Sequence, residues 1–146
     1  MKEKILILTV SLLLLLSGCT AAPSEDQQKP LYKIVTQITV DYENGPIQAT
    51  LYYTEDEKMR HILNYLRLIR PYGTPPEDPE TVDGSLFRIT LSHSDGSTKI
   101  YEQKADRYLK AHGKNWQCIS SQKALELSIL LGQLESDGMH EAANAM

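Results

Sequence analysis

The stretch IVTQITVDYENGPIQATLYY, residues 34–53, decides how the rest of the chain is read. Ile34, Thr36, Ile38, Val40 and Tyr42 alternate with Val35, Gln37, Thr39 and Asp41, a period of two rich in β-branched side chains that specifies a strand. Asn44-Gly45 follows, the pair best suited to positive φ at both centres of a type I′ turn. Ile47, Ala49, Leu51 and Tyr53 then resume the alternation. The pattern predicts a β-hairpin from about Leu31 to Tyr53.

Downstream, Thr54-Glu55-Asp56-Glu57 has the form of a capping box, in which the Thr54 hydroxyl and the Glu57 carboxylate would satisfy the first free N–H groups of a helix. Met59, Ile62, Leu63, Leu66 and Ile69 recur at three- and four-residue spacing on one helical face until Pro71 stops the run. The segment PYGTPPEDPETVD, residues 71–83, has four prolines, four acidic residues and no hydrophobic period. It is expected to be a mobile surface loop without regular hydrogen bonding. LFRITLSH (86–93) and TKIYEQ (98–103) flank Asp95-Gly96, a second type I′ signal. Residues 107–111 and 115–119 suggest two further short strands around His112-Gly113-Lys114. Ser120 or Ser121 can cap a last helix whose apolar residues cover more than one stripe, which predicts a helix well packed on the sheet.

The order β-β-α-β-β-β-β-α predicts an α+β fold: an antiparallel sheet of two hairpins plus short strands, with two helices packed on one face. The layout resembles one found in several unrelated binding and scaffold domains, a likeness that carries no function by itself.

Upstream of the hairpin, Lys2 and Lys4 precede the apolar run ILILTVSLLLLL, residues 5–16, a charged start followed by a hydrophobic stretch of export-signal length. As a helix it would reach about 18 Å, short of the roughly 30 Å hydrocarbon core. Leu16-Ser17-Gly18-Cys19 then places an aliphatic residue, two small residues and a cysteine in order. This sequence resembles the lipobox of bacterial lipoprotein signal peptides. The resemblance implies cleavage before Cys19, a diacylglyceryl thioether and fatty acyl chains (palmitate among them) on Cys19, and residence at the cell membrane, lipid-anchored and outside the cytoplasm. Residues 38–135 also have the general look of small uncharacterised lipoproteins of Gram-positive bacteria. Residues 1–18 are thus expected to be a signal peptide and 19–30 (CTAAPSEDQQKP) a flexible tether. Residues 31–137 would form a single domain and 138–146 a disordered tail.

One domain of this size can bury a modest core, and 146 residues with 41% hydrophobic content leave little room for a second. A net charge of -4 lacks the basic footprint of a nucleic-acid binder, so no nucleic-acid partner is expected. The only other cysteine, Cys118, would have no partner if Cys19 is a thioether. Its place beside Trp116 suggests a buried, inert thiol.

The search for chemistry yields few candidates. Ser120-Ser121-Gln122-Lys123 matches Ser-x-x-Lys, but the S-D-N and K-T-G elements that accompany it in penicillin-recognising enzymes do not occur. His61, His93, His112 and His140 are scattered, with His93 and His112 in turns where solvated residues are usual. No zinc spacing or ordered calcium loop is present, so no metal and no cofactor is expected. Eight tyrosines against one Phe and one Trp stand out, since the ring and hydroxyl suit sugars, peptides and wall polymers. Tyr52, Tyr72 and Tyr101, with Glu77 and Asp78 of the acidic loop, are the candidate binding residues. The expected function is a noncatalytic binding or interaction module, not an enzyme, facing a cell-wall or membrane-protein partner. The alternative is a cell-surface enzyme or an inhibitor of a wall hydrolase.

Overall fold

The computed structural model describes the backbone of residues 35–144 and the side chains of residues 35–136. Residues 1–34, on which the expected signal peptide, Cys19 and the expected tether fall, lie outside the described residues. Six strands, β1 (Val35–Asn44), β2 (Ile47–Tyr53), β3 (Leu86–His93), β4 (Thr98–Lys104), β5 (Tyr108–Lys110) and β6 (Trp116–Cys118), form one antiparallel sheet in the order β2-β1-β3-β4-β5-β6. Two helices, α1 (Asp56–Leu68) and α2 (Ser121–Asn144), complete the α+β fold.

The chain leaves β2, passes through α1 and the 71–83 segment, and returns to lay β3 on the far side of β1. β1 is therefore an interior strand, and its Ile38 and Val40 are fully buried against Leu91 and Ile89 of β3. From the helices, Met59, Ile62 and Leu63 of α1 and Ala124, Leu127, Leu131 and Leu134 of α2 close this core at helical spacing. A buried polar link stitches the layers: Gln103 of β4 accepts the Tyr65 hydroxyl of α1 and donates Nε2 to the Ala124 carbonyl of α2 at 3.1 Å.

Several local expectations are corrected by the tertiary structure. Strict alternation in β1 breaks at a bulge: Val35 faces His93 while Gln37 faces Ser92, so Thr36 is the extra residue and both Val35 and Ile38 reach the core. The first turn is centred on Gly45-Pro46, because Asn44 pairs with Ile47 as the last residue of β1. Gly45 has φ 57° and proline cannot, which fits a type II′ turn and excludes type I′. At the second hairpin only Gly96 has positive φ, and its N–H bonds His93 O at 3.0 Å, giving a three-residue loop. The glycine-free turn at Ala105 and Asp106 is the one with both central residues left-handed, at φ 52° and 51°.

Glu55, not Thr54, stands at the head of α1, and no side chain caps it; Glu55 pairs with Lys58 instead. Ser120 does cap α2, accepting the Lys123 N–H at 3.2 Å. The outer side of α2 is less packed than its composition suggested, since Leu125 and Ile129 are exposed. Its backbone stays helical to Asn144, where a disordered tail from 138 was expected.

Candidate functional site

With both helices on one side, the sheet keeps an open face. The register sets one residue from every strand in a single row across it: Thr50, Asp41, Arg88, Glu102, Lys110 and Trp116. Thr50 Oγ1 donates to Asp41 Oδ1 at 2.7 Å, and Arg88 Nε meets Glu102 Oε1 at 3.1 Å. Lys110 Nζ lies 3.6 Å from Glu102 Oε2 and 5.4 Å from the Trp116 ring centre. Alternating signs on neighbouring strands favour this register. Each exposed pair adds only about 0–1 kcal/mol, so the row defines the character of the surface more than its stability.

The 71–83 segment folds over the β5–β6 end of this face, and the expectation that it lacks regular hydrogen bonding is corrected. Tyr72 forms a two-way bridge with Cys118, with N···O distances of 2.8 and 3.2 Å. Pro79 is buried and opens a short 3-10 turn at Pro79–Thr81. Glu77 accepts the Tyr108 hydroxyl at 2.6 Å and lies 3.7 Å from Arg107 Nη1; Glu80 accepts the Trp116 indole N–H at 3.4 Å and lies 3.7 Å from Lys110 Nζ. The carboxylates that made the segment look solvated are the groups that dock it. The bond to Glu77 is also the main reason why the Tyr108 hydroxyl is held above its ordinary pKa, with burial adding to it.

Two grooves flank the docked segment. One, of about 530 Å³, is bordered by Tyr72, Pro76, Arg107 and Cys118, and the strained Ala105-Asp106 turn forms its rim. The other, of about 310 Å³, lies among Pro75, Glu77, Lys110 and Trp116. Together they offer an aromatic ring, a guanidinium, an ammonium and carboxylates on one irregular surface, the equipment for holding a polar chain by stacking and charged hydrogen bonds.

The five candidate binding residues do not converge. Tyr72 is 60% exposed at the larger groove, whereas Tyr52, 68% exposed, stands on β2 at the opposite end of the sheet. Glu77 is engaged by Tyr108 and Arg107, and Asp78 caps the 3-10 turn through the Glu80 N–H at 3.0 Å. Tyr101 is half-buried: it shares a face with Gln103 and packs against the core on the helix side, not on the open face. Arg107, Lys110 and Trp116 were missed. The turn at His112-Gly113 was the available signal, because pairing outward from it sets Lys110 against Trp116.

Two further expectations change. His93 is buried rather than solvated, with Nδ1 at 3.2 Å from the Ser97 carbonyl and Nε2 without a partner. Cys118 is half-buried at the groove wall rather than sealed in the core. Among the described residues, no group of three or more His, Cys, Asp or Glu is placed to hold a metal ion, and no helix is long and apolar enough to cross a membrane. No family model matches the chain, and no significant match is found among curated proteins or solved structures.

Proposed function

We propose that this protein is an extracytoplasmic lipoprotein anchored through Cys19, and that its folded domain is a noncatalytic binding module for a cell-wall component or a membrane-protein partner. The anchor rests on the order Lys2, Lys4, apolar run, Leu16-Ser17-Gly18-Cys19. The observation that carries the binding role is Tyr72. Its backbone is pinned on β6 by two hydrogen bonds, yet its ring is left 60% exposed beside Arg107 at the mouth of the larger of the two grooves. A rigid backbone presenting an uncovered aromatic ring lowers the ordering cost of binding. The two neighbouring grooves, one at Tyr72 and Arg107 and the other at Lys110 and Trp116, are the contact region.

Two measurements test this. Metabolic labelling with a fatty acid should mark the parent chain and not Cys19→Ala; equal labelling would end the anchor reading. A photo-crosslinking amino acid at position 72 of the full chain should give a discrete adduct in intact cells, and one at exposed His61 on α1 should not. Identical patterns at the two positions would end the assignment of the contact region.

A further inference from the structure

The two edges of the sheet are treated differently. The β6 edge is three residues long and closed by the Tyr72 bridge. Among the described residues, nothing pairs with the seven-residue β2 edge, and no charged side chain occurs from Gly45 to Thr54. Proteins usually guard such an edge with lysine, an in-strand proline or a bulge, and β2 has none of these. It instead carries Ile47 and Tyr52, which are 59% and 68% exposed.

The hairpin geometry tells which groups are free. Asn44 and Ile47 close a two-residue turn, so Ile47, Ala49, Leu51 and Tyr53 exchange their hydrogen bonds with β1. Gln48, Thr50 and Tyr52 therefore aim their N–H and C=O groups away from the sheet. Beside this edge, on the helix side, lies an apolar groove of about 310 Å³ lined by Tyr42, Ala49, Leu51 and Phe87 from the sheet and by Ser128 and Gly132 from α2. The small residues at 128 and 132 are what hold the helix surface back from the strand there.

We propose that β2 pairs with β2 of a second copy of this chain, in antiparallel register about Thr50, to form one continuous twelve-stranded sheet. The strand is complementary to itself. Pairing Gln48 with Tyr52 of the second copy and Thr50 with Thr50 satisfies the outward backbone groups on both sides, and no like charges meet across the two-fold axis because the strand has none. The same register keeps the helix sides aligned. Ile47 projects to that side and stands next to Tyr53 and diagonal to Leu51 of the other copy, where its exposed side chain caps the mouth of the apolar groove. Two equivalent apolar contacts thus accompany the backbone ladder. A foreign extended strand would satisfy the ladder but would bring Ile47's counterpart only by coincidence. The Tyr72 groove lies at the far end of the sheet from this junction, and the charged row stays on the open face, so neither is covered; this inference goes beyond the binding role and does not depend on it.

The test uses the full chain in membranes of the expressing cell, in a Cys118→Ser background. Thr50→Cys should give a homodimer on mild oxidation with copper phenanthroline, since directly opposed hydrogen-bonded residues stand about 5.5 Å apart between Cα atoms, within disulfide range. Asn115→Cys at the closed end, and the background without an added thiol, should give none. Ile47→Asp added to Thr50→Cys should cut the dimer yield at least tenfold while the melting temperature of the chain is unchanged, because position 47 is exposed in the monomer. A chain that stays monomeric at position 50, crosslinks equally at 115, or joins only a different protein would overturn the proposal. A dimer that survives Ile47→Asp would overturn the apolar part of it.

Discussion

The Tyr108 hydroxyl donates to Glu77 at 2.6 Å, joining the proline-rich segment to β5 across 31 positions of the chain. Tyr108 is 2% exposed even though it belongs to the face that the helices leave open, so the segment and not a helix is what covers it. Tyr108→Phe removes the bond and leaves Arg107 as Glu77's partner. It should cost about 1 kcal/mol and speed proteolytic cleavage between 71 and 83, measured by timed digestion. Unchanged cleavage would mean that Pro79 and the Tyr72 bridge hold the segment without this bond.

Alkaline stability should follow from three tyrosines. Tyr53 and Tyr65 are held above their ordinary pKa first by burial and then by nearby carboxylates, Glu135 for one and Glu126 and Asp106 for the other; Tyr108 is raised chiefly by its bond to Glu77. A raised tyrosine pKa means that folding favours the neutral phenol. Its contribution is complete below the unfolded value near 10 and declines as the pH climbs from there towards the folded value. Ultraviolet titration should show these three hydroxyls ionising above the ordinary tyrosine value, with the melting temperature falling above about pH 10. Ionisation of all three at the ordinary tyrosine value in folded protein would contradict this account of their surroundings.

Gln103, 1% exposed, holds both helices to β4 by its side chain. Tyr65→Phe should destabilise by about 1–3 kcal/mol because it leaves the Gln103 oxygen buried and unpaired. The double variant with Gln103→Leu should recover part of that loss. Additive losses in chemical denaturation would show that the two residues act independently.

Leu63→Asp should cost about 3 kcal/mol or more, since position 63 is 5% exposed and the carboxylate would enter the core without a partner. Asn64→Asp, one residue along on the exposed side of α1, should change little. Thermal melts of the two variants give the comparison, and equal midpoints would rule out this orientation of the helix.

At the Ala105-Asp106 turn, Gly84 has φ 136° and a Cβ there would lie 3.0 Å from Ala105. Gly84→Ala should therefore destabilise, by strain and by contact. Ala105→Gly should stabilise by up to about 1 kcal/mol by relieving a left-handed alanine. A melting temperature lowered by Ala105→Gly would mean that the alanine methyl packs for more than its backbone costs.

The elements of this fold are written in local pattern. Alternation over residues 34–53, helical spacing from Met59 to Ile69 and the Ser120 cap act within a few residues of one another, so the chain itself specified two hairpins, two helices and their order. The identity of Tyr52 as an exposed ring followed from the same alternation, as its buried neighbour Tyr53 did. Tertiary packing alone decided which side of β4 the helices would cover, and with it the fate of Tyr101. It also inserted Thr36 as a bulge, buried His93 and drew Glu77 and Glu80 down onto β5 and β6. Those outcomes depend on partners such as Tyr108 and Trp116 that lie some 30 positions away. A run of prolines and carboxylates reads as solvated as long as its partners are unknown, because the free energy that fixes it comes from contacts across the sheet and not from any preference of the segment itself.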